Sequence, residues 1–222
     1  MPQTKLAILG LGSRSTLYYL SELNRLYHLA KGGYSTCPFL LLNTNFDTIN
    51  SLLPNTSKAL DAAVNHYIND IEKLEVQQLI IPNITLHSTI DRLQISKHII
   101  HPIVLSIEKI KAQQWQTIVL FGSYYSMTSP YIAQHLEASG IEVLLPTESD
   151  MRFLDVVRRH VYYNTETNDV ITKYHNLIHR YLAKTPVILS CTELSILKPI
   201  GNVKLLDMAD IQIEQAIQTI IE

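Results

Sequence analysis

The sequence predicts an α/β protein of two similar lobes, each a mainly parallel sheet flanked by helices, with a ligand cleft between them. Short apolar runs alternate with helical patterns along the 222 residues, which is typical of parallel sheets covered by helices. A strand with a following glycine turn recurs after 112 residues, at Gly10 and again at Gly122. A second strand with its turn recurs after 108 residues, at Asn83 and again at Cys191. Two similar segments at nearly one spacing indicate an internal duplication.

Seven short apolar runs predict the strands of the two sheets. Each run is followed by glycine, proline or a polar residue, as buried strands of parallel sheets commonly are. In chain order the predicted strands cover residues 6–9, 39–42, 79–81, 117–121, 142–145, 187–190 and 203–206. Residues 103–105 are interpreted as a further short strand or as a connection.

Apolar residues at a helical period predict the helices between these strands. The clearest pattern covers residues 59–74, where apolar side chains recur with the period of an α-helix. The first helix is expected to begin with Ser13 or Ser15 as its cap and to stop at Gly32-Gly33. Its predicted inward face consists of Leu17, Leu20, Leu23 and Tyr27. The other predicted helices cover residues 89–97, 130–140, 150–163, 170–182 and 211–221.

Composition and charge exclude several classes of protein. Hydrophobic residues make up 46% and charged residues 17% of the chain, which excludes a disordered or fibrous protein. The net charge of −2 predicts no affinity for nucleic acid or for an anionic membrane surface. No apolar run reaches the roughly 20 residues of a membrane span, and the start Met-Pro-Gln-Thr-Lys-Leu is not typical of a signal peptide. We therefore expect a cytoplasmic protein with no nucleic-acid or membrane partner.

Cysteine and histidine spacing predicts free thiols and no metal site. Cys37 and Cys191 lie far apart and form neither a metal-binding nor a redox pair. The nine histidines show no zinc-ligand spacing, and the glycine patterns of P-loops and dinucleotide-binding folds do not occur. Cys37 precedes a proline at the start of a predicted strand, so we expect it to be structural.

Two residues stand directly after predicted strands, where α/β folds present reactive groups. Cys191 follows a buried strand, and the amides of a following helix would favour its thiolate. The same position suits a small buried side chain, so both interpretations stay open. Asn83 occupies the matching place in the first half, but its amide has no proton to exchange near neutral pH. His87, just beyond it, is more typical of a helix start or a hydrogen-bonded core residue than of a catalyst.

Hydroxyl-rich turns follow the first strand of each half. They are Ser-Arg-Ser-Thr at 13–16 and Ser-Tyr-Tyr-Ser at 123–126. Amides and hydroxyls at helix N-termini suit recognition of a carboxylate, and they suit plain helix capping equally well. The cations that could recognise a second carboxylate are Arg14, Arg92, Arg152, Arg158 and Arg159.

Five short motifs occur in order over nearly the whole chain. They are Gly-Leu-Gly-Ser-Arg-Ser-Thr at 10–16, Ile-Thr-Leu-His at 84–87, Gly-Ser-Tyr-Tyr-Ser-Met at 122–127, Ser-Cys-Thr-Glu at 190–193 and Asp-Met-Ala at 207–209. Together they resemble the motifs of the aspartate/glutamate racemase family, within the wider Asp/Glu/hydantoin racemase superfamily. Asn83 stands where that family has its first catalytic cysteine, Ile84 where it has asparagine and Ser190 where it has glycine.

The resemblance implies a fold, a site and a mode of catalysis. The implied lobes are residues 1–102 with 208–222, and residues 103–207, because the last helix returns to the first lobe. In the family, two cysteines face each other across the substrate α-carbon, one removing a proton and the other delivering one. Their places are taken here by Asn83 and Cys191. The residues implied to bind substrate are Gly12, Ser13, Thr16, Thr85, His87, Ser123, Ser126, Met127, Thr192 and Glu193. The resemblance implies neither pyridoxal phosphate nor a metal, and it favours a homodimer.

The resemblance therefore predicts an isomerase of amino-acid metabolism that works without pyridoxal phosphate. We expect a racemase-like protein for a small carboxylate or amino acid of the aspartate/glutamate class, with Cys191 as the thiol acid/base. Since one of the two cysteines is missing, two alternatives stay open. One is a one-cysteine decarboxylase or isomerase of a dicarboxylate, in which the thiol protonates a carbanion. The other is a racemase-fold protein that binds a ligand without turnover.

Overall fold

The computed structural model describes residues 4–222 and confirms the predicted α/β class. Residues 1–3, which open the segment interpreted above as unlike a signal peptide, lie outside the described residues. The chain divides into two compact units. The first unit contains residues 4–101 together with Gln212–Glu222, and the second contains Pro102–Ile211.

The first unit is built on a four-stranded parallel sheet. Its strands are β1 (Leu6–Gly10), β2 (Phe39–Asn43), β3 (Gln78–Ile80) and β4 (His98–Ile99). They lie in the order β2-β1-β3-β4, so β1 and β3 are the two central strands. The segments between the strands form α1 (Ser13–Lys31), α2 (Asp47–Asn50), α3 (Lys58–Glu72), a 3-10 turn (Ile84–Leu86) and α4 (His87–Ile90). The five residues of β1 are all buried, as expected for a central strand covered on both faces.

The second unit repeats this arrangement with its own sheet. Its strands are β5 (Thr117–Phe121), β6 (Glu142–Leu144), β7 (Val187–Leu189) and β8 (Leu205–Asp207). Their order is β6-β5-β7-β8. This is the order of the first sheet, β2-β1-β3-β4, with β5 in the place of β1, β6 of β2, β7 of β3 and β8 of β4. All three pairings are parallel. The recurrence of one strand order supports the duplication inferred from the two repeated segments.

The helices of the second unit flank its sheet. They are α5 (Pro102–Ala112), α6 (Tyr124–Thr128), α7 (Pro130–Glu137), α8 (Glu148–Tyr163), α9 (Asn168–Leu182) and α10 (Thr192–Ile196). The last helix, α11 (Met208–Ile221), begins in the second unit and continues as part of the first. Among the described helices, none combines the length and apolar character that crossing a membrane requires.

Two predicted elements differ from the structure. Residues 89–97 were expected to be helical, but α4 stops at Ile90 because the following segment is held by other partners. The carboxylate of Glu72 accepts a hydrogen bond of 2.8 Å from the amide of Ser96, which leads the chain into β4. Residues 103–105, interpreted as a strand or a connection, lie in α5. There Pro102 occupies the first helical position, where a proline is well tolerated.

The inward face of α1 also differs from the prediction. Leu17 is 62% exposed, and Tyr19, which was not among the predicted inward residues, is fully buried, whereas Leu23 is buried as predicted. The hydroxyl of Tyr19 donates a hydrogen bond of 2.6 Å to Gln212 on α11, which turns this face inward. The N-cap is Gly12, with no side-chain cap, so the expected capping by Ser13 or Ser15 is wrong.

Candidate active site

Within each unit, the predicted site residues follow the two central strands. In the first unit, the turn after β1 holds residues 10–16 and the turn after β3 holds residues 83–87. In the second unit, residues 122–127 follow β5 and residues 190–193 follow β7. Since β1 neighbours β3, and β5 neighbours β7, each unit brings its two turns to one edge of its sheet.

The turn after β1 is held by a buried hydroxyl. The amide of Leu11 donates a hydrogen bond of 3.0 Å to Oγ1 of Thr16, whose side chain is buried. A Cβ atom at Gly10 would come within 2.4 Å of Oδ1 of Asn43 on β2, so any other residue here would displace that side chain. Ser13 is exposed and Gly12 is buried at the start of α1. Of the residues predicted to bind substrate here, Ser13 presents the most accessible side chain.

Asn83 caps the 3-10 turn that follows β3. Its side-chain Oδ1 accepts a hydrogen bond of 3.1 Å from the amide of Leu86. This bond engages the oxygen of the side-chain amide and fixes the half-buried side chain in the turn after β3. Thr85 is half-buried within the turn, and its carbonyl accepts a hydrogen bond from Ser88.

His87 is fully buried and lies against a second histidine. Its Nε2 is 3.3 Å from the carbonyl oxygen of Ile81, and its ring meets that of His101 edge to face at 4.6 Å between centroids. Burial, followed by the effect of His101, lowers the pKa of His87 from 6.5 to about 3. The imidazole is therefore neutral at physiological pH, which agrees with the expectation of a core residue rather than of a cationic ligand group.

The turn after β5 is closed by two serines. Ser123 caps α6 by accepting a hydrogen bond of 3.1 Å from the amide of Ser126, and the hydroxyl of Ser126 donates to the carbonyl of Ser123 at 3.0 Å. Of the two interpretations of this hydroxyl-rich turn, capping is the one its hydrogen bonds display. Met127, also predicted to bind substrate, is buried in the core of the second unit.

Ser190 ties the two central strands of the second unit together. Its amide and its hydroxyl both donate to the carbonyl of Phe121, at 2.7 Å and 3.0 Å. A Cβ atom on Gly122 would collide with the hydroxyls of both Ser126 and Ser190. The serine that replaces the glycine of the family motif is thus accommodated because residue 122 has no side chain.

The thiol of Cys191 is buried beside a carboxylate. Cys191 is 8% exposed, occupies the N-cap of α10 and donates a hydrogen bond of 3.0 Å from Sγ to Oε2 of Glu193. Thr192, at the first position of α10, is buried, whereas Glu193 is half-buried. The thiol and the carboxylate therefore form a pair in which one proton lies between sulfur and oxygen.

This environment disfavours the thiolate, contrary to the expectation from the following helix. Burial, with the negative charge of Glu193 as the next cause, raises the pKa of Cys191 well above its ordinary value. Arg158 on α8 acts in the opposite direction and lowers it. The sequence placed an amide-rich helix start after Cys191 and Glu193 among the site residues, but it did not reveal that the carboxylate of Glu193 accepts a hydrogen bond from the thiol.

Arg158 is distinguished from the other candidate cations by its surroundings. Its Nε donates a hydrogen bond of 3.0 Å to Asp155, which also accepts from the amide of Tyr124 at 3.2 Å. Burial lowers the pKa of Arg158, but attraction to Cys191 and Asp155 outweighs burial and raises it. Sequence reasoning missed Asp155; its spacing of three residues from Arg158 on a helix was the available signal.

The remaining arginines have other partners or exposed positions. Arg92 pairs with Asp61, Arg152 with Glu148, and Arg159 with Asp155. Arg14 is half-buried in α1 and also has interaction partners.

Cys37 is buried, as expected, and burial raises its pKa to about 11. Within residues 4–222, no cluster of three or more histidine, cysteine or acidic side chains is arranged to hold a metal ion.

Comparison with known proteins identifies one family. The sequence model of the Asp/Glu/hydantoin racemase family matches residues 8–216. Among curated proteins, no sequence matches the chain significantly.

Solved structures show the same fold at low sequence identity. An aspartate racemase homologue from Pyrococcus horikoshii is 21% identical, with a TM-score of 0.83 over 99% of this chain and 100% of that one. The aspartate racemase of Picrophilus torridus is 15% identical, with a TM-score of 0.75 over 98% of this chain and 94% of that one. These similarities establish the architecture of the chain.

Proposed function

The chain belongs to the Asp/Glu/hydantoin racemase family, and on that premise we propose that it is a cofactor-independent racemase-like enzyme. Its substrate in this proposal is a small acidic amino acid or a related carboxylate. The observation that carries the proposal is the buried pair of Cys191 and Glu193, joined by a hydrogen bond of 3.0 Å at the end of a central strand. A thiol beside a carboxylate can give up and regain a proton within one site.

The reaction begins with transfer of the thiol proton to Glu193. This step converts a thiol and a carboxylate into a thiolate and a carboxylic acid, so the net charge of the buried pair does not change. A charge-neutral exchange avoids the cost of creating a second buried anion. Arg158 attracts whichever group carries the negative charge, because it interacts with both Cys191 and Glu193.

The thiolate then removes the α-proton of the substrate. The C–H bond breaks, the proton goes to Sγ of Cys191, and the electron pair remains on the α-carbon, conjugated with the substrate carboxylate. Return of a proton from the same thiol restores the original enantiomer. Delivery to the other face inverts the centre.

Asn83 is the proposed residue at that other face. Its amide cannot supply a proton, so water must do so, and the hydroxide left behind takes up the proton that Glu193 received from the thiol. Inversion is therefore expected to be slower than exchange. This proposal includes the ligand cleft between the lobes and the cytoplasmic location that the sequence predicts, and the homodimer that the family resemblance favours. Among the residues proposed to bind substrate, Ser13, Thr85, Ser123 and Glu193 keep accessible side-chain surface.

A second candidate is a one-cysteine decarboxylase of a dicarboxylic acid. It is favoured by the raised pKa of Cys191, because a protonated thiol is the form that donates a proton. In that reaction a C–C bond breaks, carbon dioxide leaves, and the electron pair left on the α-carbon takes the proton of the thiol. The binding protein without turnover is the third outcome.

Incubation in deuterium oxide distinguishes the three candidate functions. L- and D-aspartate, L- and D-glutamate and a panel of dicarboxylates are followed by proton NMR for loss of the α-proton, and by chiral chromatography for inversion. Exchange that outpaces inversion and disappears in Cys191→Ser supports the racemase-like enzyme. Release of carbon dioxide supports the decarboxylase. Ligand binding by calorimetry with neither reaction identifies the binding protein.

A further inference from the structure

The short helix behind Cys191 depends on contacts from outside itself. Helix α10 has only five residues, and an isolated helix of this length does not persist in water. Since Cys191 is its N-cap and Glu193 lies in its first turn, the geometry of the thiol–carboxylate pair is set by whatever holds α10 in place.

One set of contacts comes from α9. The hydroxyl of Tyr174 donates a hydrogen bond of 2.9 Å to the carbonyl of Leu194, and Nε2 of His175 lies 2.6 Å from the carbonyl oxygen of Leu197. Both contacts engage the carbonyl groups near the end of the helix. Helix α10 also packs against α8, and one further partner bonds to its residue Ser195.

That partner is a carboxylate at the end of β8. The side chain of Asp207 is 2% exposed, and Oδ1 accepts hydrogen bonds of 2.8 Å from the hydroxyl of Ser195 and from the amide of Ala209. Its Oδ2 lies 2.7 Å from Nζ of Lys198, which also pairs with Asp210. Asp207 therefore links α10, through Ser195, to the start of α11.

The hydroxyl of Ser195 has a single proton, which decides its role. Ser195 Oγ lies 2.8 Å from the carboxylate of Asp207 and 3.3 Å from the carbonyl oxygen of Cys191. The shorter, charge-assisted bond to Asp207 takes the proton. Ser195 is thus anchored to the carboxylate through Oγ, and its backbone amide donates a hydrogen bond of 3.2 Å to the carbonyl of Cys191.

A buried carboxylate is a costly way to stabilise a fold, because an apolar group of similar size can be equally stable in its place. Three directional bonds, in contrast, fix the position of the atoms they join. We infer that Asp207 is a positioning residue, which acts through Ser195 to hold the thiol of Cys191 against the carboxylate of Glu193. This inference deepens the proposed function and rests on it only for its catalytic consequence.

Alkylation of the two cysteines tests the inference without requiring any enzymatic activity. A buried thiol reacts only when its surroundings open, so the iodoacetamide rate at Cys191 reports on the opening of α10. Cys37 lies in the other unit and serves as the internal reference. Site-resolved mass spectrometry gives both rates in Ser195→Ala, which removes the link, and in Asp207→Asn, which weakens it. The control is Asp210→Asn, which takes one partner from Lys198 and leaves Ser195 bonded to Asp207.

We expect Ser195→Ala to raise the rate at Cys191 about tenfold at each pH between about 7 and 9, the size of effect that follows loss of one charge-assisted hydrogen bond. The alkylation rate of Cys37 should change by less than about twofold, as should the rates of both cysteines in the control.

Where α-proton exchange is measurable in the wild type, kcat of Ser195→Ala should fall while its KM stays nearly constant, a split that general loosening does not produce. Equal acceleration of both cysteines, or an unchanged rate at Cys191 in both Ser195→Ala and Asp207→Asn, would overturn the inference. Absence of exchange in the wild type would contradict the proposed function and leave the alkylation result as a valid test.

Discussion

The Sγ atom of Cys191 lies 3.0 Å from Oε2 of Glu193, two residues further along the chain and within the first turn of the same helix. Both members of the pair therefore lie within one short motif, Ser-Cys-Thr-Glu at 190–193. Substituting either Cys191 or Glu193 alone is enough to change the chemistry of the pair.

We expect Glu193→Gln to make Cys191 a better nucleophile and a poorer catalyst. Removal of the negative charge lowers the pKa of the thiol, so more thiolate is present at pH 8. Each unit of that decrease raises the thiolate fraction about tenfold while the fraction is small, and the alkylation rate rises by a smaller factor because a thiolate of lower pKa is a weaker nucleophile. Exchange of the substrate α-proton should fall in the same variant, because glutamine cannot take the proton of the thiol. Glu148→Gln, an exposed change on α8, is the control. An alkylation profile that coincides with that of the wild type at every pH would contradict the pairing.

We expect Asn83→Cys to accelerate racemisation by supplying a thiol at the second face. The change also removes the side-chain cap of the 3-10 turn, which costs about 1 kcal/mol. Asn83→Ser is the matched control, because serine keeps a capping oxygen but has no thiol. Circular dichroism of L- and D-aspartate and glutamate follows inversion in both variants.

The same variant allows a test of whether residue 83 and Cys191 lie close together. Dibromobimane joins thiols only a few ångströms apart, so it should link residue 83 to Cys191 in Asn83→Cys and give no such product in Asn83→Ser. The assignment of Asn83 to the opposite face would be disproved by two results together. Racemisation would be no faster in Asn83→Cys than in Asn83→Ser, and no cross-link to Cys191 would form.

Below neutral pH, His87 is expected to reduce the stability of the fold. An unfolded chain takes up a proton at this imidazole near pH 6.5, whereas the buried side chain does so only near pH 3. The stabilising contribution of the neutral ring is therefore complete above pH 6.5 and is lost as the pH falls toward 3. The slope is at most about 1.4 kcal/mol per pH unit. Urea unfolding of the wild type and of His87→Gln from pH 7 to 4 should give diverging stability curves, and parallel curves would show that His87 is not the source.

A methyl group at residue 122 should destabilise the second unit. In Gly122→Ala the new Cβ meets the hydroxyls of Ser126 and Ser190, each of which is fixed by a hydrogen bond to a backbone carbonyl. We expect a loss of about 1–3 kcal/mol, the usual cost of overpacking. In the background Ser126→Ala/Ser190→Ala the same change should cost less than about 1 kcal/mol, because both obstructing oxygens are gone. Equal costs in the two backgrounds, measured by chemical denaturation, would refute this account of the glycine.

The fold was predictable because two independent patterns agreed. Apolar runs and helical periods identified β1, β5 and β7 nearly to the residue, and the segments repeated after each central strand indicated the duplication. The prediction failed where tertiary contacts override local pattern. Leu17 has the spacing of an inward residue but is exposed, while Tyr19 is buried and bonded to Gln212 and Leu23 is buried as predicted.

The positions of Cys191 and Glu193 after a central strand were predictable, but the electrostatics of those positions was not. Sequence position alone brought Cys191 to a strand end, and the adjacent Glu193 was already named as a site residue. Whether that carboxylate binds a ligand or the thiol depends on side-chain direction, which no spacing reveals. The role of Asp207 was hidden for the same reason, since its bond to Ser195 joins residues on separate elements.

The interrupted first unit has a consequence for the order in which the protein can assemble on the ribosome. Pro102–Ile211 is one continuous stretch, so all of its strands are available once that stretch has been synthesised. The first unit lacks its part of α11 until Gln212–Glu222 has followed, and the hydrogen bonds of Gln212 to Tyr19 and to the carbonyl of Ile100 cannot form before then. During translation the later-made unit is therefore able to complete its core first, while the earlier-made one waits for its final segment.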